Sequence, residues 1–233
     1  MQIDLRLGDW RTALAGETCD TLITDPPYGG RVHTATNDHI AGSALPDGAH
    51  RMAIAYQHWA AADVHEFIAS WAPRTRGWMA CMTSDDLAPA YRAAYEAAGL
   101  YPFAPVPIIQ RRPRLVGDGP ASWTVYLMVA RPRNREFATW GCLPGAYLSR
   151  TDHNAPVVGA KPIDVMRHII RDYTHAGDVV CDPCAGGAAT LIAAAMEGRI
   201  ALGSEADPAT YKKAKARIAK GITAATLLDG LGG

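Results

Sequence analysis

Short apolar runs alternate along the chain with longer segments in which apolar residues recur at helical spacing. The short runs predict strands at Ile3–Leu7, Thr21–Thr24, Trp78–Met82, Val106–Gln110, Trp123–Ala130, Val179–Cys181 and Ile200–Gly203. The periodic segments predict helices at Ala60–Trp71, Leu87–Ala98, Pro162–Tyr173, Thr190–Glu197 and Pro208–Lys220. Strands that alternate with helices indicate an α/β domain with a mostly parallel sheet.

Two stretches lack a steady period. Gly29–Gln57 is rich in Gly, His, Asn and Asp, and we expect a mobile loop there, because loops of that length in a compact domain are usually functional or mobile. Pro132–His153 is predicted to be irregular. The length of 233 residues predicts one domain that spans residues 1–233.

The charge of the chain is balanced overall but not locally. Lys+Arg and Asp+Glu number 23 each, so any contact with nucleic acid requires a local basic patch. Between Tyr101 and Arg150 there are seven basic residues and two acids, a local charge of +5. All seven are arginines, which suit phosphates and guanine edges: Arg111, Arg112, Arg114, Arg131, Arg133, Arg135 and Arg150. These residues are predicted to bind DNA, and the alternative is a solvated arginine-rich pair of hairpins.

Other classes of protein are disfavoured by the same inspection. The chain has neither a secretory signal nor an apolar run of about 20 residues, so no membrane partner is expected. Its five scattered cysteines predict reduced thiols in a cytoplasm. Cys181 and Cys184 form one CxxC, but no second ligand pair accompanies it, and we expect no metal.

A turn of small residues joins a predicted strand to a predicted helix at Asp182–Thr190. Such a turn lets a ligand approach backbone N–H groups at the positive end of the helix. Glu205 ends the next strand about 20 residues later, where folds of this kind place an acid against ribose hydroxyls. The pattern is typical of a nucleotide-like cofactor site, and the alternative is a tight turn that only packs against the sheet.

The sequence Asp25-Pro26-Pro27-Tyr28 directly follows an apolar strand. An acid there points into the crevice where α/β sheets bind ligands, and the prolines fix the backbone so that the Pro26 carbonyl can face the site. An acceptor, a rigid carbonyl and an aromatic ring together suit a planar heterocycle that bears an amino group. A Pro-Pro turn beside a core tyrosine would not account for the acid.

These residues resemble the S-adenosylmethionine-dependent DNA amino methyltransferases of the β group. Asp25, Pro26, Pro27 and Tyr28 match the catalytic motif, Gly8-Asp9 matches the adenine-contacting motif, and Lys161-Pro162 through Arg217 is similar to the C-terminal half of the group. The resemblance implies a Rossmann-like methyltransferase fold, with a mixed sheet flanked by helices and a permuted motif order. It implies a cofactor site made of Asp9, Lys161, Asp182, Cys184, Gly186, Gly187, Thr190 and Glu205. It also suggests a homodimer.

The permuted order favours double-stranded DNA as the partner, because related rRNA and protein methyltransferases have the cofactor motif first. The resemblance implies methylation of adenine N6 on a flipped-out base, of the kind found in restriction–modification systems, with Pro132–His153 as a small target-recognition segment. Cytosine N4 is the alternative, although those enzymes more often have Ser where Asp25 stands. A nucleic-acid-binding protein with a decayed cofactor site is a further alternative, because Cys184, Gly187, Ala188 and Ala189 depart from the usual residues.

Overall fold

The computed structural model describes residues 2–30, 57–110, 123–134, 140–149 and 161–229. The strands are β1 (Gln2–Leu7), β2 (Thr21–Thr24), β3 (Met79–Thr83), β4 (Tyr101–Pro102), β5 (Val106–Gln110), β6 (Thr124–Arg131), β7 (Tyr147–Ser149), β8 (Val179–Asp182) and β9 (Ile200–Glu205). The helices are α1 (Trp10–Ala13), α2 (Ala61–Trp71), α3 (Ala88–Ala97), α4 (Ile163–Tyr173), α5 (Ala189–Met196) and α6 (Pro208–Asp229). A 3-10 turn, Ala72–Arg74, follows α2.

All nine strands join one sheet in the order β1-β9-β8-β2-β3-β6-β5-β7, and β4 pairs with β6. Five pairs are parallel, and the three pairs that include β6 are antiparallel. This arrangement confirms the predicted mixed, mostly parallel sheet. The two last strands, β8 and β9, lie between β1 and β2, which are the first two in the chain.

Helices cover both faces of the sheet because the central strands are apolar on both sides. All residues of β2 and β3 are buried, as is usual for strands inside a parallel sheet. Within β2, Ile23 faces α4 and α5, whereas Leu22 faces α1, α2 and α3. The first core cluster includes Val165, Met166, Ile169, Ile170, Leu191 and Ile192, and the second includes Trp10, Leu14, Phe67, Trp71, Tyr91 and Tyr95.

Strand direction divides the sheet into two edges. We call the side formed by the residues that follow β1, β2, β3, β8 and β9 the carboxyl edge, since these strands are parallel. β6 runs the other way, with Thr83 opposite Tyr126 and Met79 opposite Ala130. Its first residues therefore lie at the carboxyl edge, and Arg131 lies at the opposite edge.

Two strands were not predicted from the sequence. β4 has only two residues, one of them a proline, so no alternating pattern can appear. β7 lies inside Pro132–His153, which we expected to be irregular; it pairs on one side only, with β5, and its Leu148 is 70% exposed. The final helix also extends nine residues past the predicted end at Lys220.

Most of the predicted mobile loop, residues 31–56, lies outside the described residues, as do residues 135–139 and 150–153 of the predicted target-recognition segment. Among the helices that the structure describes, none combines the length and the apolar character that a bilayer crossing requires.

Candidate active site

The two predicted motifs meet at the carboxyl edge because β2 and β8 are neighbours in the sheet. Leu22 is paired with Cys181, so Asp25 and the turn after Asp182 leave the sheet side by side. The Thr24 hydroxyl donates a hydrogen bond of 2.6 Å to Oδ1 of Asp182. This bond joins the strand of the catalytic motif directly to the first residue of the predicted cofactor turn.

Asp25, Tyr28 and Lys161 form a closed triangle of hydrogen bonds. The Tyr28 hydroxyl donates to Oδ1 of Asp25 at 2.8 Å. The Lys161 ammonium donates to Oδ2 of Asp25 at 2.5 Å and to the Tyr28 oxygen at 2.8 Å. The Lys161 and Asp25 side chains are 14% and 23% exposed, so this ion pair lies largely out of water. Lys161 therefore contacts the catalytic motif, although the sequence resemblance implied a role in cofactor binding.

The backbone after the prolines is held by close packing. Pro26 is buried, and the Tyr28 carbonyl accepts a hydrogen bond of 3.1 Å from the Trp59 N–H. A Cβ atom on Gly29 would lie 2.0 Å from Oδ2 of Asp86, so the loop after β3 approaches this glycine closely. Asp86 is in turn hydrogen-bonded to the Ser84 hydroxyl. The sequence analysis missed Ser84 and Asp86, and their signal was a pair of polar residues just past the carboxyl end of a buried strand.

Asp182 is a buried carboxylate at the start of the small-residue turn. It is 1% exposed and accepts hydrogen bonds from the Thr24 hydroxyl and from the Cys184 N–H, the latter at 3.1 Å. Burial raises the pKa of Asp182 to about 6, an effect that the nearby Asp25 carboxylate reinforces and that hydrogen bonds from Thr24 and Thr190 oppose. Thr190 is itself 3% exposed, so its contact is with Asp182 inside the site.

Glu205 ties the turn to the end of β9. Its carboxylate accepts a hydrogen bond of 2.9 Å from the Gly186 N–H and one of 2.8 Å from the Asp207 N–H. Burial raises the pKa of Glu205 above its usual range. Asp9 lies nearby, because the N–H of Gly8 donates to the Glu205 carbonyl at 2.9 Å. Asp9 caps α1 through the Arg11 N–H and also pairs with the Arg11 guanidinium.

The turn itself has the backbone conformation that a glycine-rich turn would have. Gly186 and Ala188 both have positive φ angles, of 50° and 60°. Gly187 lies between them, and its carbonyl accepts a hydrogen bond from Arg217 at 3.0 Å. Cys184 is half-buried beside Asp182, whereas Cys181 is buried inside β8.

These residues fit a nucleoside that carries a charged amino acid. Glu205 supplies acceptor oxygens of the kind that bind ribose hydroxyls, and the N-terminal end of α5 follows a turn without large side chains. Asp9 and Asp182 add two further carboxylates around the same turn. The arrangement agrees with the donor set that S-adenosylmethionine requires.

The predicted DNA-binding arginines fall into two groups. Arg131 and Arg133 lie at the edge opposite Asp25 and stack on Tyr101, with guanidinium-to-ring distances of 5.2 and 5.3 Å. Arg111, Arg112, Arg114, Arg135 and Arg150 lie outside the described residues. Gln110 and Trp123, which flank residues 111–122, are hydrogen-bonded to each other at the carboxyl edge, and Trp123 is 50% exposed.

Residues 132–216 match the sequence model of the N6/N4 DNA methylase family. The resemblance to the DNA methylases is confirmed. Solved DNA methylases share the fold as well. The complex of M1.HpyAVI with SAM is 20% identical, with a TM-score of 0.65 over 93% of this chain and 100% of that one.

Two other similar structures agree on the fold. The protein TTHA0409 of Thermus thermophilus, complexed with S-adenosyl-L-methionine, is 21% identical, with a TM-score of 0.60 over 94% of each chain. The cytosine-N4-specific PvuII DNA methyltransferase is 12% identical, with a TM-score of 0.64 over 92% of this chain and 86% of that one. A search of curated protein sequences gave no match.

Proposed function

We propose that this chain is an S-adenosylmethionine-dependent DNA methyltransferase that modifies the N6 amino group of adenine. The observation that carries the proposal is the position of Asp25. Its carboxylate leaves the sheet beside Asp182, to which the preceding residue, Thr24, is hydrogen-bonded. A group that binds an amino nitrogen is thereby held next to a turn suited to a nucleoside cofactor.

The cofactor would be held by residues on both sides of β9 and β8. Glu205 would bind the ribose hydroxyls, Asp9 would lie near the adenine, and the turn from Asp182 to Thr190 would surround the amino-acid part. When bound, S-adenosylmethionine supplies an activated methyl group on a sulfonium. The residues of this chain orient the acceptor nitrogen toward that group and exclude water from the two reacting atoms.

Asp25 and the Pro26 carbonyl act on the acceptor. An exocyclic amino group is a poor nucleophile because its lone pair is delocalised into the ring. Hydrogen bonds from its two N–H groups to Asp25 and to the Pro26 carbonyl localise that lone pair on nitrogen and favour the pyramidal geometry of the transition state. Asp25 then accepts the proton that the methylated nitrogen loses. Orientation for in-line transfer supplies most of the remaining acceleration.

The base must leave the duplex to reach this site. A base inside duplex DNA cannot approach a carboxylate at the edge of a sheet, so the target nucleotide must flip out. Tyr28 would stack on the flipped base with the face of its ring. The Asp25 carboxylate favours adenine over cytosine, because the resemblance places Ser more often at this position in cytosine-N4 enzymes.

Mass spectrometry of nucleosides from a host that expresses the chain tests the proposal directly. We expect N6-methyladenine in its DNA, and none in DNA from a host that expresses Asp25→Ala. The variant should bind S-adenosylmethionine within a few-fold of the wild type, because the cofactor residues lie mainly after β8 and β9. N4-methylcytosine would overturn the choice of base, and equal methylation by the variant would overturn the role of Asp25.

A further inference from the structure

Lys161 is held at the active site by the helix that follows it. Pro162, with φ of −61°, precedes the first turn of α4, and this helix buries Val165, Met166, Ile169 and Ile170 in the core. The backbone of Lys161 is therefore anchored to a rigid element. Its side chain reaches 136 residues back along the sequence to Asp25.

The contacts of Lys161 leave the face of Tyr28 uncovered by the ammonium. Nζ lies 2.8 Å from the Tyr28 oxygen but 5.1 Å from the ring centroid. It therefore lies off the hydroxyl end of the ring and not above its face. A base could stack on Tyr28 while Lys161 keeps its bond to the phenol oxygen.

The charge of Lys161 opposes repulsion inside the site. The Asp25 carboxylate interacts electrostatically with the buried Asp182, and also with Cys184 and Tyr91 on neighbouring elements. Each of these groups can only be neutral or negative, so they disfavour a second negative charge nearby. Lys161 is the cation that ion-pairs with Asp25 among the residues that the structure describes.

We infer that Lys161 is a positioning residue of the methyl-transfer reaction. This inference rests on the proposed function. One ammonium fixes the Asp25 carboxylate and the Tyr28 phenol relative to each other, while a carboxylate oxygen that accepts one hydrogen bond retains a lone pair for a second donor. The amino group of the base and its ring then meet two groups whose geometry is already set. Without the ammonium both side chains regain rotamers, and a misplacement of about 1 Å can cost about 100-fold in rate.

Three variants separate this role from a role in cofactor binding. Lys161→Met removes the ammonium at similar volume, Lys161→Arg keeps a cation, and Lys215→Met removes an exposed lysine charge from α6 as the control. We expect Lys161→Met to lower kcat about 10- to 100-fold at saturating DNA and S-adenosylmethionine. The dissociation constant of S-adenosylmethionine, measured by calorimetry, should stay within about 3-fold. Lys161→Arg should recover at least part of kcat, and Lys215→Met should match the wild type.

A spectroscopic measurement reports the contact itself. In protein labelled with 13C at the ζ carbon of tyrosine, the Tyr28 resonance is identified by its loss in Tyr28→Phe. It should shift in Lys161→Met and remain in place in Lys215→Met. A kcat equal to that of the wild type in Lys161→Met would overturn the inference alone, as would a 10-fold weaker S-adenosylmethionine affinity with an unchanged kcat. A wild-type chain that methylates no DNA would overturn the proposed function, and this inference with it.

Discussion

Ala188 holds a left-handed backbone, with φ of 60°, at the start of α5, and it is the residue other than glycine with a positive φ among the described residues. That conformation costs an alanine roughly 1–2 kcal/mol relative to glycine. The methyl group is fully buried, however, and its burial returns about 0.8 kcal/mol. Alanine also loses less backbone entropy on folding than glycine, by roughly 0.5–1 kcal/mol. The opposing contributions nearly cancel, so this departure from the family pattern does not imply a decayed site.

Asp182 makes the stability of the fold depend on pH. Burial raises its pKa from an ordinary value of 3.8 to about 6. The folded chain therefore binds this proton more tightly than the unfolded chain, so the contribution to stability is complete below pH 3.8 and is lost as the pH rises to about 6. The whole effect is about 3 kcal/mol, at 1.36 kcal/mol per pKa unit.

We expect Asp182→Asn to abolish this dependence, because an amide oxygen still accepts from Thr24 and Cys184 and does not titrate. Urea unfolding of both proteins across this range measures it. The free energy of unfolding of the wild type minus that of the variant should fall by about 3 kcal/mol from pH 4 to pH 7. A difference that stays constant over the range would contradict the account.

At the scale of elements, β9 approaches β8 and α5 most closely at Gly203. A Cβ atom there would lie 2.7 Å from the Asp182 carbonyl oxygen and 3.0 Å from Cδ1 of Leu191. The first neighbour is backbone and cannot rotate away. We expect Gly203→Ala to destabilise the fold by about 1–3 kcal/mol and to weaken S-adenosylmethionine binding, because the displaced backbone leads into the cofactor turn.

Gly145→Ala is the matched control, since nothing lies within 4 Å of a Cβ atom at that position and its φ is not positive. Thermal unfolding and calorimetric titration of the two variants provide the comparison. Equal stability of Gly203→Ala and Gly145→Ala would show that β9 can move away from β8 without cost.

The sequence predicted most elements to within a residue or two, because buried parallel strands appear as short apolar runs. β2 and β5 have the predicted bounds. β4 and β7 were missed because strands of two and three residues are too short to show a period. The catalytic motif and the cofactor turn were both found, since each directly follows such a run.

At the scale of the whole molecule, the two edges of the sheet differ in what they can offer to DNA. Arg131 pairs with Tyr101 and lies four residues along β6 from Leu127, about 13 Å from the level of the active site. It points away from Asp25. Gln110 and Trp123 lie at the carboxyl edge instead, and residues 111–122 connect them.

We expect the double change Arg131→Gln and Arg133→Gln to leave the salt dependence of DNA binding unchanged. The triple change of Arg111, Arg112 and Arg114 to Gln should lower the slope of log K against log salt by up to about 2.7, at about 0.9 for each phosphate contact. Fluorescence anisotropy with one duplex at several salt concentrations compares the two sets. A flatter slope in the double variant, with no change in the triple variant, would place the DNA at the other edge.

Contacts between distant parts of the chain were beyond the sequence. Thr24 and Asp182 are 158 residues apart, and Asp25 and Lys161 are 136 residues apart. No local pattern reports such pairs, because they arise from the order of strands in the sheet. The role assigned to Lys161 from resemblance and the contact that it makes therefore differ.

The insertion of β8 and β9 between β1 and β2 has a consequence for the birth of the protein on the ribosome. Thr24 is made long before Val179, and at about 5–20 residues per second the interval is roughly 8–30 seconds. Until then β2 has only β3 as a neighbour, and the apolar edge formed by Leu22 and Ile23 is open to other chains. The strand that carries the catalytic acid is thus among the first made, yet it is completed only by nearly the last residues to emerge. A chain released early would carry the whole catalytic motif and none of the turn beside it, and would be prone to aggregate rather than to act on DNA.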